Sequence, residues 1–424
     1  MAVKEIISDV LGEKYYEIEH KSGLKIYVMP KENYSSAYAI FGTKYGSIDT
    51  KFKRSDRAEF TEVPEGIAHF LEHKLFESEE LDAFERYAKT GANANAYTSF
   101  DRTCYLFQCS ENFKDSLEIL LDFVQNPYFT AETVQKEQGI IAQEIRMYLD
   151  SPGWMSTFNL LRCFYHNHPV KIDIAGTVES IAQITDKLLY DCYDTFYNLN
   201  NMALAVVGNI TVDDVLEVCD KFLKDAPELS IERSFKDEPR DIACSYMEHN
   251  LPINVPVFAF GYKEACVKPL PTYRENVITE ILIKIISGNM SPLYSRLVEQ
   301  GLVDTSFNGS YFIGNGFETV IFEGESENPE EVAAQIKAEI ARLKKDGIDE
   351  ELFETVRRSM YGQEIMAFND TDTIANALIA CDFNGWRLFD ALDIYRDITL
   401  QDVEGRLENM MLEEYSALSV VKNK

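Results

Sequence analysis

The stretch Gly66-Ile67-Ala68-His69-Phe70-Leu71-Glu72-His73 decides how this chain is organised. His69 and His73 are four residues apart, so on a helix they lie on one face, about one turn from each other. Glu72 precedes His73 directly, so its carboxylate can lie beside whatever the two imidazoles hold. The segment is predicted to be helical because it carries an apolar stripe, formed by Ile67, Phe70, Leu71 and Leu75.

This spacing has a chemical meaning. Two neutral imidazoles suit a zinc ion, and a neighbouring carboxylate can accept a proton from a water that the ion activates. The order His-x-x-Glu-His is the reverse of the commoner His-Glu-x-x-His of metallopeptidases. The motif therefore predicts a zinc peptidase in which His69 and His73 bind the metal and Glu72 is the catalytic base. The alternative is a solvated helix face that carries two histidines and a glutamate without a metal.

A third ligand is expected elsewhere, because catalytic zinc usually has three protein ligands and a water. Residues 131–150 have the pattern of a long helix, on which Glu137 and Glu144 lie seven residues apart on one face. Ile140 and Ile141 lie between them, which is unusual for a face that only meets solvent. We therefore predict that Glu144 is the third ligand and that Glu137 assists catalysis by orienting an imidazole or the substrate. In the alternative, both glutamates are rim charges of an amphipathic helix.

These motifs resemble the insulinase (pitrilysin) family of zinc peptidases, the inverzincins, which include the mitochondrial processing peptidase. In that family a helix with two glutamates seven apart follows the His-x-x-Glu-His helix after about seventy residues. Here Glu144 follows His73 by 71 residues (144 − 73). Residues 66–76 and 139–147 look closest to bacterial members of the family.

The resemblance also implies a place for the substrate. Residues 93–99 are similar to the family's substrate-binding edge strand, and Asn95, Ala96 and Tyr97 are the positions implied to bind the peptide. Binding along a strand edge uses main-chain hydrogen bonds and needs an extended segment. Unfolded peptides are therefore the expected substrates, and folded proteins are excluded.

The predicted elements repeat after the middle of the chain, in the order strand, helix, hairpin, helix, helix. We expect an α+β fold of two similar domains, each an antiparallel-rich sheet packed with helices, which is the duplicated half-clamp of the family. The predicted segments are a metal-bearing domain (1–223), a charged linker (224–243) and a second domain without metal ligands (244–424). The second half has no histidine beyond His249, so one Zn²⁺ per chain is expected.

The resemblance implies a catalytic chamber between two such chains or units, to which the second domain brings an Arg and, seven residues on, a Tyr. The nearest match is residues 295–303. Val303 lies seven after Arg296, and the frame set by Gly301 and Leu302 places Leu297 at the Arg position. We predict that the pair is absent and that a paralogous subunit supplies it. The alternative is a homodimer in which another donor replaces the pair.

Composition narrows the partners and the compartment. A net charge of −30 argues against nucleic acid and favours basic peptides, although acidity can also serve solubility alone. The sequence has no run of 18 apolar residues, so no membrane-spanning helix is predicted. Residues 1–10 hold no apolar core of signal-peptide length. Eight cysteines without a C-x-x-C spacing suggest reduced thiols. A cytoplasmic protein that does not associate with membranes is expected.

The sequence therefore predicts a zinc endopeptidase that hydrolyses extended peptides in an enclosed chamber. Two other functions compete with it. One is a non-catalytic scaffold subunit, which the intact set of His69, His73, Glu144 and Glu72 disfavours. The other is a peptide-binding maturation partner of a modifying enzyme, in which cleavage is secondary, and the sequence leaves that possibility open.

Overall fold

The computed structural model describes residues 2–79, 81–265 and 270–424. The strands are β1 (Ala2–Ser8), β2 (Glu13–Glu19), β3 (Lys25–Pro30), β4 (Ala37–Thr43), β5 (Lys51–Arg54), β6 (Thr61–Glu62), β7 (Asn93–Thr98), β8 (Thr103–Cys109), β9 (Met202–Gly208), β10 (Ile231–Arg233), β11 (Tyr246–Asn250), β12 (Val257–Lys263), β13 (Asn308–Gly314), β14 (Phe317–Glu325) and β15 (Ser416–Lys422). The helices are α1 (Ile67–Leu75), α2 (Ala83–Thr90), α3 (Phe113–Gln125), α4 (Ala131–Leu149), α5 (Pro152–Phe164), α6 (Val178–Ile181), α7 (Asp186–Phe196), α8 (Val212–Phe222), α9 (Tyr273–Ser287), α10 (Pro292–Glu299), α11 (Pro329–Asp346), α12 (Glu350–Ala367), α13 (Thr371–Asn384), α14 (Asp390–Asp397) and α15 (Leu400–Asn409).

The chain divides into two compact units, and the first combines residues up to 145 with 173–234 and 366–389. Its main sheet has the order β1-β2-β3-β9-β4-β8-β7, in which only the β3–β9 pairing is parallel. Every residue of the central strands β4 and β9 is buried, and α13 packs on both. Strand β7 is the last in this order, so one of its two sides is a sheet edge within the described residues.

The second unit comprises residues 146–172, 235–365 and 390–424. Its sheet has the order β11-β15-β12-β14-β13, with one parallel pairing, β11 with β15. Helix α5 packs on β15 and β12, and α9 packs on β13. The predicted α+β class, with two antiparallel-rich sheets packed with helices, is confirmed. None of the described helices is both long enough and apolar enough to cross a membrane.

Each unit contains a helix from the other half of the chain. Helix α5 belongs to the second unit and α13 to the first, so the units are discontinuous in sequence. Inside the predicted linker 224–243, strand β10 pairs with β5 of the first unit, a contact between segments far apart in sequence. The division into 1–223, 224–243 and 244–424 stays a prediction, because compact packing and sequence segments need not coincide.

The start of α1 is held by a close approach of two glycines. Gly66 has φ +86°, and a Cβ on it would lie 2.3 Å from the Ala175 carbonyl oxygen. Gly176 has φ +76°, and its Cβ would lie 2.6 Å from the Glu65 oxygen. The Ser180 hydroxyl donates to that same Glu65 carbonyl at 2.9 Å. This contact fixes where α1 enters the unit, so it also fixes His69 and His73.

Replacing Gly66 by alanine should therefore destabilise the protein. We expect the free energy of unfolding of Gly66→Ala to fall by at least about 2 kcal/mol, because of both the positive φ and the backbone clash. Gly139→Ala is the matched control, since a Cβ there meets nothing within 4 Å in the interior of α4. It should stabilise by up to about 1 kcal/mol. Urea unfolding of both variants checks this, and equal stabilities would contradict the account.

Candidate metal centre

The helix α1 that carries the histidines is almost entirely buried. Phe70 and Leu71 are fully buried, and His69 and Glu72 are each 8% exposed. The helix lies against β7, β8 and α7 of the first unit. A helix fixed on several sides holds its side chains in narrow ranges of position, as a metal centre requires.

Helix α4 brings Glu144 to both imidazoles. One Glu144 oxygen lies 3.7 Å from His69 Nε2, and the other lies 3.6 Å from His73 Nε2. The two imidazole centroids are 4.6 Å apart. The structure therefore brings together the three side chains that the sequence predicts as ligands.

The donor set fits zinc. Among the described residues, His69, His73 and Glu144 are the group of potential ligands whose donor atoms all lie within 4.8 Å of one another. Two ligands at zinc bonding distance and a tetrahedral angle are about 3.3 Å apart. The observed separations of 3.6 and 3.7 Å are close to that value, so a small adjustment of side chains closes the site around an ion.

Glu137 contacts the far side of one imidazole. It is 6% exposed, and its Oε1 lies 2.9 Å from His73 Nδ1. An imidazole that donates from Nδ1 to a carboxylate keeps its Nε2 lone pair available, here toward Glu144. His69 differs, because its buried Nδ1 has no hydrogen-bond partner among the described residues.

The pKa values of the two imidazoles are shifted in opposite directions. Burial, and secondly the nearby His73, lower the pKa of His69, which favours the neutral form that binds metals. Burial also lowers the pKa of His73, but its hydrogen bond to Glu137 and the surrounding carboxylates outweigh this and raise the pKa overall. Three carboxylates therefore act on His73, and a cation bound beside them would reduce their mutual repulsion.

Glu72 is a buried carboxylate beside this cluster. Burial raises its pKa, which the Thr98 hydroxyl and the charge of His73 partly oppose. Its Oε2 accepts a hydrogen bond of 2.7 Å from the Thr98 hydroxyl. Sequence reasoning did not include Thr98 among the site residues. The only available signal was its position at the end of the strand that carries Asn95 and Ala96.

The three residues implied to bind the peptide lie on the edge strand β7. Asn95 is exposed, and its Oδ1 accepts a hydrogen bond of 2.9 Å from the Ala96 amide. The Tyr97 hydroxyl donates to Asn376 Oδ1 at 2.8 Å, so this side chain is engaged within the unit. Within the described residues, none of the three belongs to the group of candidate metal ligands. Their role in binding stays a prediction.

The two isoleucines between Glu137 and Glu144 differ in exposure. Ile141 is fully buried, but Ile140 is 46% exposed, so the presence of Ile140 does not by itself indicate a buried face. The helix turns Val134, Ile141 and Ile145 into the core. Ile140 stands three residues after Glu137 and four before Glu144, on the same helix stripe as the two glutamates.

The segment compared with the Arg/Tyr motif lies in the second unit. Leu297 is fully buried and Val303 is 7% exposed, so both are core residues. The Arg296 guanidinium donates to Gln335 at 3.2 Å and to Glu339 at 3.4 Å. Arg296 is thus committed to contacts inside its own unit, and the absence of an Arg/Tyr pair stays a prediction.

Two family models match the chain. The model described as insulinase (peptidase family M16) matches residues 58–178, which include α1 and α4. The model described as the peptidase M16 inactive domain matches residues 183–360. The three candidate ligands, His69, His73 and Glu144, thus fall within the match to the first of these models.

Several relatives are similar to this chain. The uncharacterized zinc protease YmfH of Bacillus subtilis is 39% identical, over 98% of this chain and 97% of that protein. The bovine mitochondrial-processing peptidase subunit beta is 31% identical over 36% of this chain and 32% of that protein. The crystal structure of an M16-like peptidase from Alicyclobacillus acidocaldarius has a TM-score of 0.92 and 34% identity, and covers 100% of this chain and 99% of that one.

The contact of Glu137 with His73 predicts its effect on metal affinity. We expect Glu137→Gln to weaken zinc binding about 10- to 100-fold, because the imidazole loses a charged hydrogen-bond partner. Glu132→Gln, an exposed glutamate on the same helix, is the control and should bind as the wild type does. Competition with a chelator of known affinity measures both. Equal zinc affinities of the wild type and Glu137→Gln would rule out this role.

Proposed function

The chain belongs to the insulinase family of peptidases (M16), and on this basis we propose that it is a zinc-dependent endopeptidase that hydrolyses extended, unfolded peptides. The observation that carries the proposal is the position of Glu144, with one oxygen 3.7 Å from His69 and the other 3.6 Å from His73. The buried carboxylate Glu72 lies alongside, near enough for the charge of His73 to act on its pKa. This arrangement supports a hydrolase more than a scaffold, for which a buried carboxylate beside the ligands has no use.

The proposed chemistry assigns a role to each residue. His69, His73 and Glu144 would hold one zinc ion per chain, and Glu137 would orient His73. When bound, the ion supplies Lewis acidity to a water and to the peptide carbonyl. Glu72 takes the proton of the attacking water and returns it to the leaving amine. Its raised pKa suits this role, because a base with a pKa nearer neutrality can also act as the acid.

The peptide would bind as an added strand at the edge of the first sheet. Strand β7 pairs with β8 on one side, and in the described part of the chain its other side is the sheet edge. Asn95 and Ala96 would present main-chain groups to the peptide, after the Ala96 amide exchanges the Asn95 side chain for a peptide carbonyl. Tyr97 would contribute through its backbone, because its hydroxyl is bonded to Asn376. The net charge of −30 supports a preference for basic peptides.

We further propose that a second chain completes an enclosed chamber. Leu297 and Val303 are buried apolar residues, which supports a paralogous subunit as the source of the Arg/Tyr pair. One relative is itself named as a subunit of a peptidase. A cytoplasmic location is proposed because none of the described cysteines forms a disulfide, as is usual in a reducing compartment.

The base assignment predicts the behaviour of Glu72→Gln. We expect kcat for an unstructured basic peptide to fall about 100- to 10,000-fold, because the water loses its proton acceptor. The variant should still bind one zinc per chain, since Glu72 is not a ligand. Cleavage by the wild type should stop when a chelator removes the metal and return with zinc. Wild-type cleavage by zinc-loaded Glu72→Gln would overturn the assignment.

If the Arg/Tyr pair is absent, as the sequence predicts, the chain alone should be a poor enzyme. Adding a zinc-free paralogous subunit that carries the pair should raise kcat about 100-fold, because it supplies a donor to the developing oxyanion. A version of that subunit with both residues replaced should form the same complex without the increase. Light scattering gives the complex mass, and peptide cleavage gives kcat. A fully active homodimer of this chain would contradict the heterodimer.

A further inference from the structure

Thr98 lies between the candidate base and the strand proposed to hold the peptide. It is the last residue of β7, and its Oγ1 lies 2.7 Å from Glu72 Oε2. An ionised carboxylate can only accept a hydrogen bond, so the Thr98 hydroxyl is the donor. Within the described residues, the other oxygen of Glu72 makes no hydrogen bond. One oxygen of the base is thus held by the protein and the other is available.

The position of Thr98 is set by the hairpin that it belongs to. Thr98 pairs with Thr103 across the β7–β8 ladder. The Thr103 hydroxyl donates to the Tyr45 carbonyl at 2.9 Å, so its single proton is used there, and its oxygen lies 3.4 Å from Thr98 Oγ1. The one proton of the Thr98 hydroxyl is therefore available to Glu72. Because Glu72 is 8% exposed, water has little access to replace this hydrogen bond.

We propose that Thr98 is a positioning residue for peptide hydrolysis. Its hydroxyl fixes Glu72 Oε2, so that Glu72 Oε1 is the atom that takes the proton of the attacking water and returns it to the leaving amine. Thr98 also follows Ala96 by two residues, so the strand that would hold the peptide also sets the orientation of the base. This inference rests on the proposed peptidase function and adds a residue to it.

Removing the hydroxyl should lower the rate of chemistry more than it affects binding. In Thr98→Val the carboxylate loses its only donor among the described residues and can rotate about its side-chain bonds. We expect kcat to fall about 10- to 100-fold with KM within about twofold of the wild type. Thr98→Ser keeps the hydroxyl and should retain kcat within about threefold. A residue with only a packing role would give the reverse, since serine lacks the methyl group that valine keeps.

The control is a buried threonine whose hydroxyl has a different acceptor. Thr43 is fully buried in β4, and its hydroxyl donates to the Phe196 carbonyl at 2.6 Å. Thr43→Val should lower the melting temperature without a change in kcat. Zinc content should be equal in all variants, because no ligand is altered.

A second measurement does not depend on activity. Infrared difference spectra of the zinc-free wild type against Glu72→Gln isolate the carboxylate stretch of Glu72. The band should shift in Thr98→Val and should stay in place in Thr98→Ser and Thr43→Val. An unshifted band together with wild-type kcat in Thr98→Val would overturn the role of Thr98 alone. If the zinc-loaded wild type, alone and with its partner, cleaved no peptide, the proposed function would fail, and the role of Thr98 in hydrolysis with it.

Discussion

The centre depends on holding like charges close together in a buried place. Glu72, Glu137 and Glu144 surround two imidazoles, and Glu72 and Glu137 are each less than a tenth exposed. Neighbouring carboxylates repel one another, and burial raises the free energy of each charged form. A divalent cation bound between the two imidazoles and Glu144 would offset this repulsion. An ion that binds only the folded centre also adds to the stability of the fold.

The rigidity that this requires comes from outside the centre. The contact of Gly66 with Ala175 fixes the start of α1, and the core residues Phe70 and Leu71 fix its orientation. The fully buried strands β4 and β9 form the middle of the same sheet, in which β7 is an edge strand within the described residues. Thr98 at the end of β7 connects Glu72 to that edge. Rigid support and a sheet edge therefore occur in one unit, where the proposed chemistry and peptide would meet.

Local sequence patterns predicted the candidate ligands, whereas the features that were missed depend on long-range contacts. The spacing of His69 and His73 needs only a helix, and the convergence of Glu144 with them followed from motif spacing in a family. The contact of Thr98 with Glu72 joins a strand to a helix, and no periodicity in sequence reports it. Exposure of Ile140 depends on what α4 packs against, which the alternation of apolar residues does not determine.

The sequence segments that make up each compact unit were likewise not predictable from local patterns. Strand β10 has three residues, too few for an apolar period, and it exists because β5 pairs with it. Helix α13 lies in the C-terminal half of the sequence but covers β4 and β9. Both elements form because they pair with or pack on strands that are far away in sequence. Sequence segments predicted as domains therefore interleave when they pack.

The most direct test of the account is the position of the metal in a crystal of the zinc-loaded protein, located by anomalous diffraction. One strong peak per chain is expected, about 2.0–2.2 Å from Nε2 of His69, Nε2 of His73 and an oxygen of Glu144. A zinc-loaded crystal without a peak at this position, or with the metal bound by other residues, would contradict it.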